Sequence, residues 1–254
     1  MKKLLAITAL SAALFFGQTA VAEEKAAEEV KPSHVEMVLV LDESGSMSDL
    51  TRDTIGGFNS MIEKEKKLDV DAHVTTVLFN DQYKMLYNRR ELKDVSKMTD
   101  KDYTPGGMTA LLDAVGRTIH KMDMVAGIHR KDKGNKVLFV IITDGEENDS
   151  KEYTYADVKK LIKDRQENAG WEFIFLGANI DAAAAAENLG IDRDRAVKYK
   201  NTGSGVRANF KAVAELSDSL AKSGRGSDRW KETVEKDEDD AADKQSAAVT
   251  SHRR

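Results

Sequence analysis

An apolar run from Val35 to Leu41 leads straight into Asp42-Glu43-Ser44-Gly45-Ser46-Met47. A run this short and this apolar reads as a strand buried on both faces, as in parallel sheets covered by helices. Side chains of an extended segment alternate with a period of two, so Asp42, Ser44 and Ser46 can turn the same way while Glu43 points elsewhere. The strand end thus offers a carboxylate and two hydroxyls on one side. Hard cations such as Mg2+ take oxygen ligands and keep several waters, and such a trio suits one.

Two later segments could complete a site. Val137-Leu138-Phe139-Val140-Ile141-Ile142 is a second apolar run, ending in Thr143-Asp144-Gly145. It reads as another buried parallel strand with a carboxylate at its carboxyl end. Between the two runs, Thr104-Pro105-Gly106-Gly107-Met108-Thr109 reads as a turn releasing a helix, with Thr109 at its start. Taken singly, Asp-x-Ser-x-Ser is commonly a helix cap or turn, and a strand-ending Asp-Gly is commonly a turn. Taken in order, the three segments can meet where open parallel sheets bind ligands, outside the strand carboxyl ends at the point where strand order reverses.

On these residues the chain resembles a von Willebrand factor type A domain with a metal-ion-dependent adhesion site. The family's pattern is Asp-x-Ser-x-Ser, a Thr in a Gly-rich loop, and an Asp after a later hydrophobic strand. Asp42, Ser44, Ser46, Thr109 and Asp144 match it in order. The resemblance covers roughly residues 35–222. It implies direct ligation by the serines, direct or water-mediated contact by the Thr, and aspartates acting often through water. It implies Mg2+, with Ca2+ or Mn2+ as alternatives, and an unidentified partner protein whose Asp or Glu takes the open coordination position.

The rest of the body alternates strand-like and helix-like patterns with short joints. That argues for one α/β domain, a doubly wound, mostly parallel open sheet of about six strands with helices on both faces. Val70–Phe79 and Tyr83–Asn88, separated by Asn80-Asp81, read as a hairpin whose second strand is an antiparallel edge. Ile55, Phe58, Met61, Ile62 and Leu68 recur at helical spacing, with Gly56-Gly57 interrupting near the start. Thr154-x-x-Asp157 has the form of a capping box, and Asp181 before five alanines, closed by Gly190, a short capped helix. Gly203-Ser204-Gly205-Val206-Arg207-Ala208 imitates a dinucleotide fingerprint. The strand and acidic residue that fingerprint needs are not present downstream, so it reads as a tight turn into a last helix and no cofactor is expected there.

The ends differ from the body. Lys2 and Lys3, the apolar Leu4–Phe16 and Ala20-Val21-Ala22 read as a secretory signal peptide over residues 1–22, cleaved after Ala22. Its double-lysine opening looks bacterial, so the expected location is periplasmic or extracellular, with a mature form that does not span the membrane. Residues 23–34 read as a short spacer and 223–254 as a disordered charged tail. The chain has no cysteine, and a domain of this size can bury enough core to do without disulfides. Net charge is −5, which argues against general affinity for nucleic acid.

Function follows from ligand charge. If three neutral hydroxyls contact the ion, it stays poorly neutralised and attractive to an outside carboxylate. The expectation is a divalent-cation-dependent protein-binding module, adhesive or assembling, and not an enzyme. One alternative is a structural subunit of an envelope complex that binds through its helices independently of metal. Another is a Mg2+-dependent phosphoryl-transfer enzyme, for which the sequence offers no Walker loop, H-E-x-x-H or nucleophile elbow. Glu146, Glu147 and Asp149 read as a solvated loop face or as added acidic ligands. The five histidines, His34, His73, His120, His129 and His252, are scattered without ligand spacing.

Overall fold

In the computed structural model, residues 34–125 and 135–237 are described. The expected signal peptide, nearly all of the spacer and the last part of the tail lie outside them. The elements run β1 (His34–Asp42), α1 (Thr51–Lys67), β2 (Ala72–Phe79), β3 (Tyr83–Glu91), α2 (Leu111–Asp123), β4 (Asn135–Thr143), α3 (Tyr155–Asp164), β5 (Glu172–Gly177), α4 (Ala182–Leu189), β6 (Ala196–Lys198) and α5 (Gly203–Ser223). They build one six-stranded sheet of order β3-β2-β1-β4-β5-β6. Every pairing is parallel except β2 with β3, so β3 is the antiparallel edge.

Strand periodicity sorts the core into two layers. Val35, Met37, Leu39 and Leu41 of β1 pack with Phe58, Met61 and Ile62 of α1 and with Phe210 and Val213 of α5. Val38 and Val40 pack on the opposite face with residues of α2, α3 and α4, including Val115, Ile119, Val158 and Ala186. Helices on both faces explain why Met37–Leu41 of β1 and Val137–Ile142 of β4 are continuous apolar runs rather than alternating ones.

Local signals behave as their chemistry requires. Thr154 and Asp157 exchange both capping-box hydrogen bonds at the start of α3. Asp181 caps α4 by accepting from the Ala184 N–H at 3.0 Å. Gly56-Gly57 does not interrupt α1, which is continuous. A Cβ at Gly57 would lie 2.5 Å from the Phe210 ring, so glycine there lets α1 and α5 approach closely. Gly203 and Gly205 lie within the first turn of α5, capped by Thr202, instead of in a turn preceding it.

Helical structure continues past the expected boundary at 222. Residues 229–237 are helical, with Trp230 at 0% and Val234 at 1% exposure in the α1–α5 layer. Two apolar residues four apart are enough to give a charged helix one buried stripe. The low average hydrophobicity of the whole tail concealed that pair.

Candidate metal centre and family

Strand order reverses between β1 and β4, since the chain leaves β1 toward β2 on one side and returns to β4 on the other. The register Leu41↔Ile142 sets the ends of both strands level. Asp42 and Thr143 therefore stand side by side at the sheet's carboxyl edge. Asp42 is 1% exposed, and both its oxygens are held. One accepts from the Ser44 N–H at 2.7 Å, the other from the Thr143 hydroxyl at 2.6 Å. Burial pushes the Asp42 carboxyl up, and the charge of Asp144 adds to this, while the hydrogen bonds from Ser44 and Thr143 oppose it.

After Asp42 the backbone turns into a short 3-10 segment, Gly45–Leu50. This brings the Ser44 and Ser46 hydroxyls within 3.1 Å of each other. The Ser46 hydroxyl donates to Asp144 Oδ1 at 2.5 Å. The second Asp144 oxygen accepts from the Asn201 amide at 3.3 Å, and its backbone carbonyl from the Asn179 amide at 3.4 Å. Ser44, Thr109 and Asp144 are buried, whereas Ser46 is exposed. The cluster consequently has one side toward solvent.

Thr109 arrives on the Gly-rich loop. That loop is tied to the Ser44 turn by Gly45 N–H to Gly107 O at 3.2 Å and Gly106 N–H to Glu43 O at 2.9 Å. Asn80 holds it from behind, donating to Gly106 O at 2.8 Å. Gly107 has φ +77°, and a Cβ there would fall 1.9 Å from an Asp81 carboxylate oxygen; only glycine fits. A Cβ at Gly145 would sit 3.7 Å from Thr109 Oγ1 and 3.9 Å from Ser46 Oγ. Both hydroxyls thus lie at ordinary contact distance from the residue following Asp144, which sets Thr109 beside the Ser44–Ser46–Asp144 cluster.

This donor set fits a hard divalent cation. It is all oxygen, two carboxylates and three hydroxyls, and among the described residues the Lys and Arg side chains nearby pair with Glu43, Glu36 and Asp53 rather than with Asp42 or Asp144. A cation is the natural counter-charge for two buried carboxylates left so.

Several side chains that shape the site carry no signal in the five-residue pattern. Thr143 precedes Asp144 directly and could have been noticed as a hydroxyl at the strand end; Asn201 and Asn179 sit after other strands and could not. Glu147 is no added ligand. It accepts from the Leu112, Asp149 and Ser150 N–H groups and from the Ser150 hydroxyl at 2.7 to 3.0 Å, which fastens the 145–154 loop to the start of α2. Asp113 does the same from α2, accepting from the N–H groups of Lys151, Glu152 and Tyr153 at 2.9 Å each. Glu146 remains exposed.

Among solved structures, the von Willebrand factor type A protein from Catenulispora acidiphila matches at 15% identity and TM-score 0.51, over 73% of this chain and 43% of that one. The PilB minor pilin of Streptococcus sanguinis matches at 14% and 0.52, over 74% and 62%. The pilus adhesin SpaC from Lactobacillus rhamnosus GG matches at 14% and 0.58, over 76% and 31%. The chain thus spans less than two thirds of each, and at these identities the likeness is one of fold. No curated protein matches by sequence. The family model described as the vWA domain found in the TerF C terminus matches residues 34–197; this chain belongs to the vWA-TerF-like family.

Proposed function

We propose that the chain is a divalent-cation-dependent protein-binding module, adhesive or assembling, in which Asp42, Ser44, Ser46, Thr109 and Asp144 hold Mg2+. The observation that carries this reading is the Ser44–Ser46–Asp144 hydroxyl and carboxylate chain, buried at both ends and open to solvent at Ser46 between them. When bound, the cation supplies a coordination position for a carboxylate of the partner. Ser44, Ser46 and Thr109 offer neutral oxygens that leave the ion's charge largely available. Asp42 and Asp144 orient hydroxyls and hold water, which is why their own hydrogen-bond partners matter.

The surroundings suit a protein partner. Met108, beside Thr109 on the Gly-rich loop, is 50% exposed and offers an apolar contact next to the ion. Exposed Glu146 favours a partner that sets a basic group beside its Asp or Glu. The pilin and adhesin among the structural relatives agree with such a role and with export. Among the described residues no helix is long and apolar enough to cross a membrane.

The test is capture of partners from envelope extract with Mg2+, with Ca2+ and with chelator, using wild type, Ser44→Ala and Asp144→Ala. Capture should require the cation and vanish in both variants. Capture that persists unchanged in excess chelator overturns the reading and favours docking through the helices.

A further inference from the structure

The two histidines that look unrelated in sequence meet at the other end of the sheet. The register Glu36↔His73 places these residues opposite each other on β1 and β2, and His34, two positions before Glu36, shares its face. His34 Nε2 lies 3.3 Å and His73 Nδ1 3.1 Å from Glu36 Oε1. The three donor atoms all lie within 4.8 Å of one another, and the two rings meet edge to face at 4.6 Å. Glu36 is buried at 3% exposure, while His34 and His73 are reachable at 19% and 26%. Asp42 lies six positions along the strand from Glu36, about 20 Å away.

We propose that His34, Glu36 and His73 form a second metal site, selective for a borderline transition ion such as Zn2+ and independent of the oxygen-only centre. Two imidazoles and a carboxylate are a zinc donor set, and bond lengths near 2.0–2.2 Å at tetrahedral angles leave neighbouring donors about 3.3 Å apart. Both observed nitrogen–oxygen separations match that edge. The supporting contact is also present: Asp71 Oδ1 lies 2.9 Å from His34 Nδ1, where a carboxylate fixes the tautomer that leaves Nε2 free to ligate. With its proton toward Asp71, His34 aims the Nε2 lone pair at the Glu36 carboxylate. That gap has room for a metal ion, and its rival occupant is a second proton on His34, which the hydrogen bond to Glu36 favours.

Arg89 is the built-in competitor. It sits on a β-bulge of β3 with φ +45°, a device that re-aims a side chain. Its Nη2 contacts Glu36 Oε1 at 2.5 Å and His73 Nδ1 at 3.1 Å, and its Nε contacts Glu36 Oε2 at 3.0 Å. At 32% exposure the guanidinium has solvent to swing into, and a metal entering between Glu36 and His73 must move it. Arginine therefore lowers affinity and makes it adjustable.

Equilibrium dialysis of the untagged chain against Zn2+ in excess Mg2+ tests this, because Mg2+ fills the oxygen centre and competes poorly for imidazole. Wild type and Asp144→Ala should retain one equivalent of Zn2+. His34→Ala and His73→Ala should weaken retention at least tenfold, and Arg89→Ala should strengthen it by roughly tenfold. Zinc should also shift the wild-type imidazole NMR signals of His34 and His73 while leaving His120 unmoved, a readout that needs no variant to fold. Absence of retained zinc, equal retention by the histidine variants, or unmoved His34 and His73 signals overturns the proposal.

Discussion

The Thr143 hydroxyl donates a 2.6 Å hydrogen bond to Asp42 Oδ2 across the β1–β4 seam. It joins the two strands that supply the carboxylates of the proposed metal centre, and it leaves Asp42 no free rotation. Thr143→Val keeps the shape of the side chain and removes the donor. Mg2+ affinity, measured by titration calorimetry, should fall roughly 10- to 100-fold, the usual cost of losing a ligand's supporting hydrogen bond.

Burial chiefly raises the Asp42 carboxyl, and the like charge of Asp144 adds a smaller repulsion. Asp144→Asn relieves that repulsion while keeping a hydrogen-bonding amide. In chelator the variant should melt at or above the wild-type temperature. In Mg2+ at about a hundred times the dissociation constant, wild type should gain about 2.7 kcal/mol and overtake it. Wild type that ranks above the variant in chelator refutes the repulsion argument.

Asp113 is 8% exposed and receives three backbone N–H groups of the 145–154 loop. Asp113→Ala strands three donors at once, and hydrogen bonds to charged groups contribute about 1.5–3 kcal/mol. Urea unfolding should register a loss of about 3 kcal/mol, with faster amide exchange at Lys151, Glu152 and Tyr153. Asp113→Asn should recover much of both.

Glu65 is wholly buried between α1 and α5. Ser217 donates to one of its oxygens at 2.8 Å. Burial pushes its carboxyl up to about 7, with the Ser217 hydrogen bond opposing and Asp218 adding to the rise. A carboxyl raised on folding binds protons more tightly in the native state. Its stabilisation is therefore full below the ordinary value of about 4.5 and is lost as pH rises through about 7. The loss is of the order of 3 kcal/mol. Glu65→Gln should flatten this slope in denaturant titrations and be the more stable protein near about pH 8.

Trp230 is 0% exposed although it lies past the boundary that composition suggested. Trp230→Ala should cost about 3–5 kcal/mol, and a chain ending at Ser223 should lose a comparable amount. Equal stability of the truncated and full chains would remove residues 229–237 from the folded unit.

Some of this protein is determined along the chain itself. Buried strands in a two-layered α/β sheet must be apolar runs, so β1, β4 and β5 announce themselves, and carboxylates ending two of them mark the sheet edge where ligands gather. Capping residues act over three or four positions, which is why Thr154 and Asp181 are legible. Other features exist only when distant segments meet. Thr143 and Asn201 acquire roles from strand register and from β6, Gly57 from the approach of α5, and Glu147 and Asp113 from a loop folded back on α2. The His34–Glu36–His73 cluster needs the β1–β2 register, and Arg89 reaches it only through a bulge. Periodicity reports which way a side chain turns; what it turns toward is fixed by pairing across the sheet, and that information is not local.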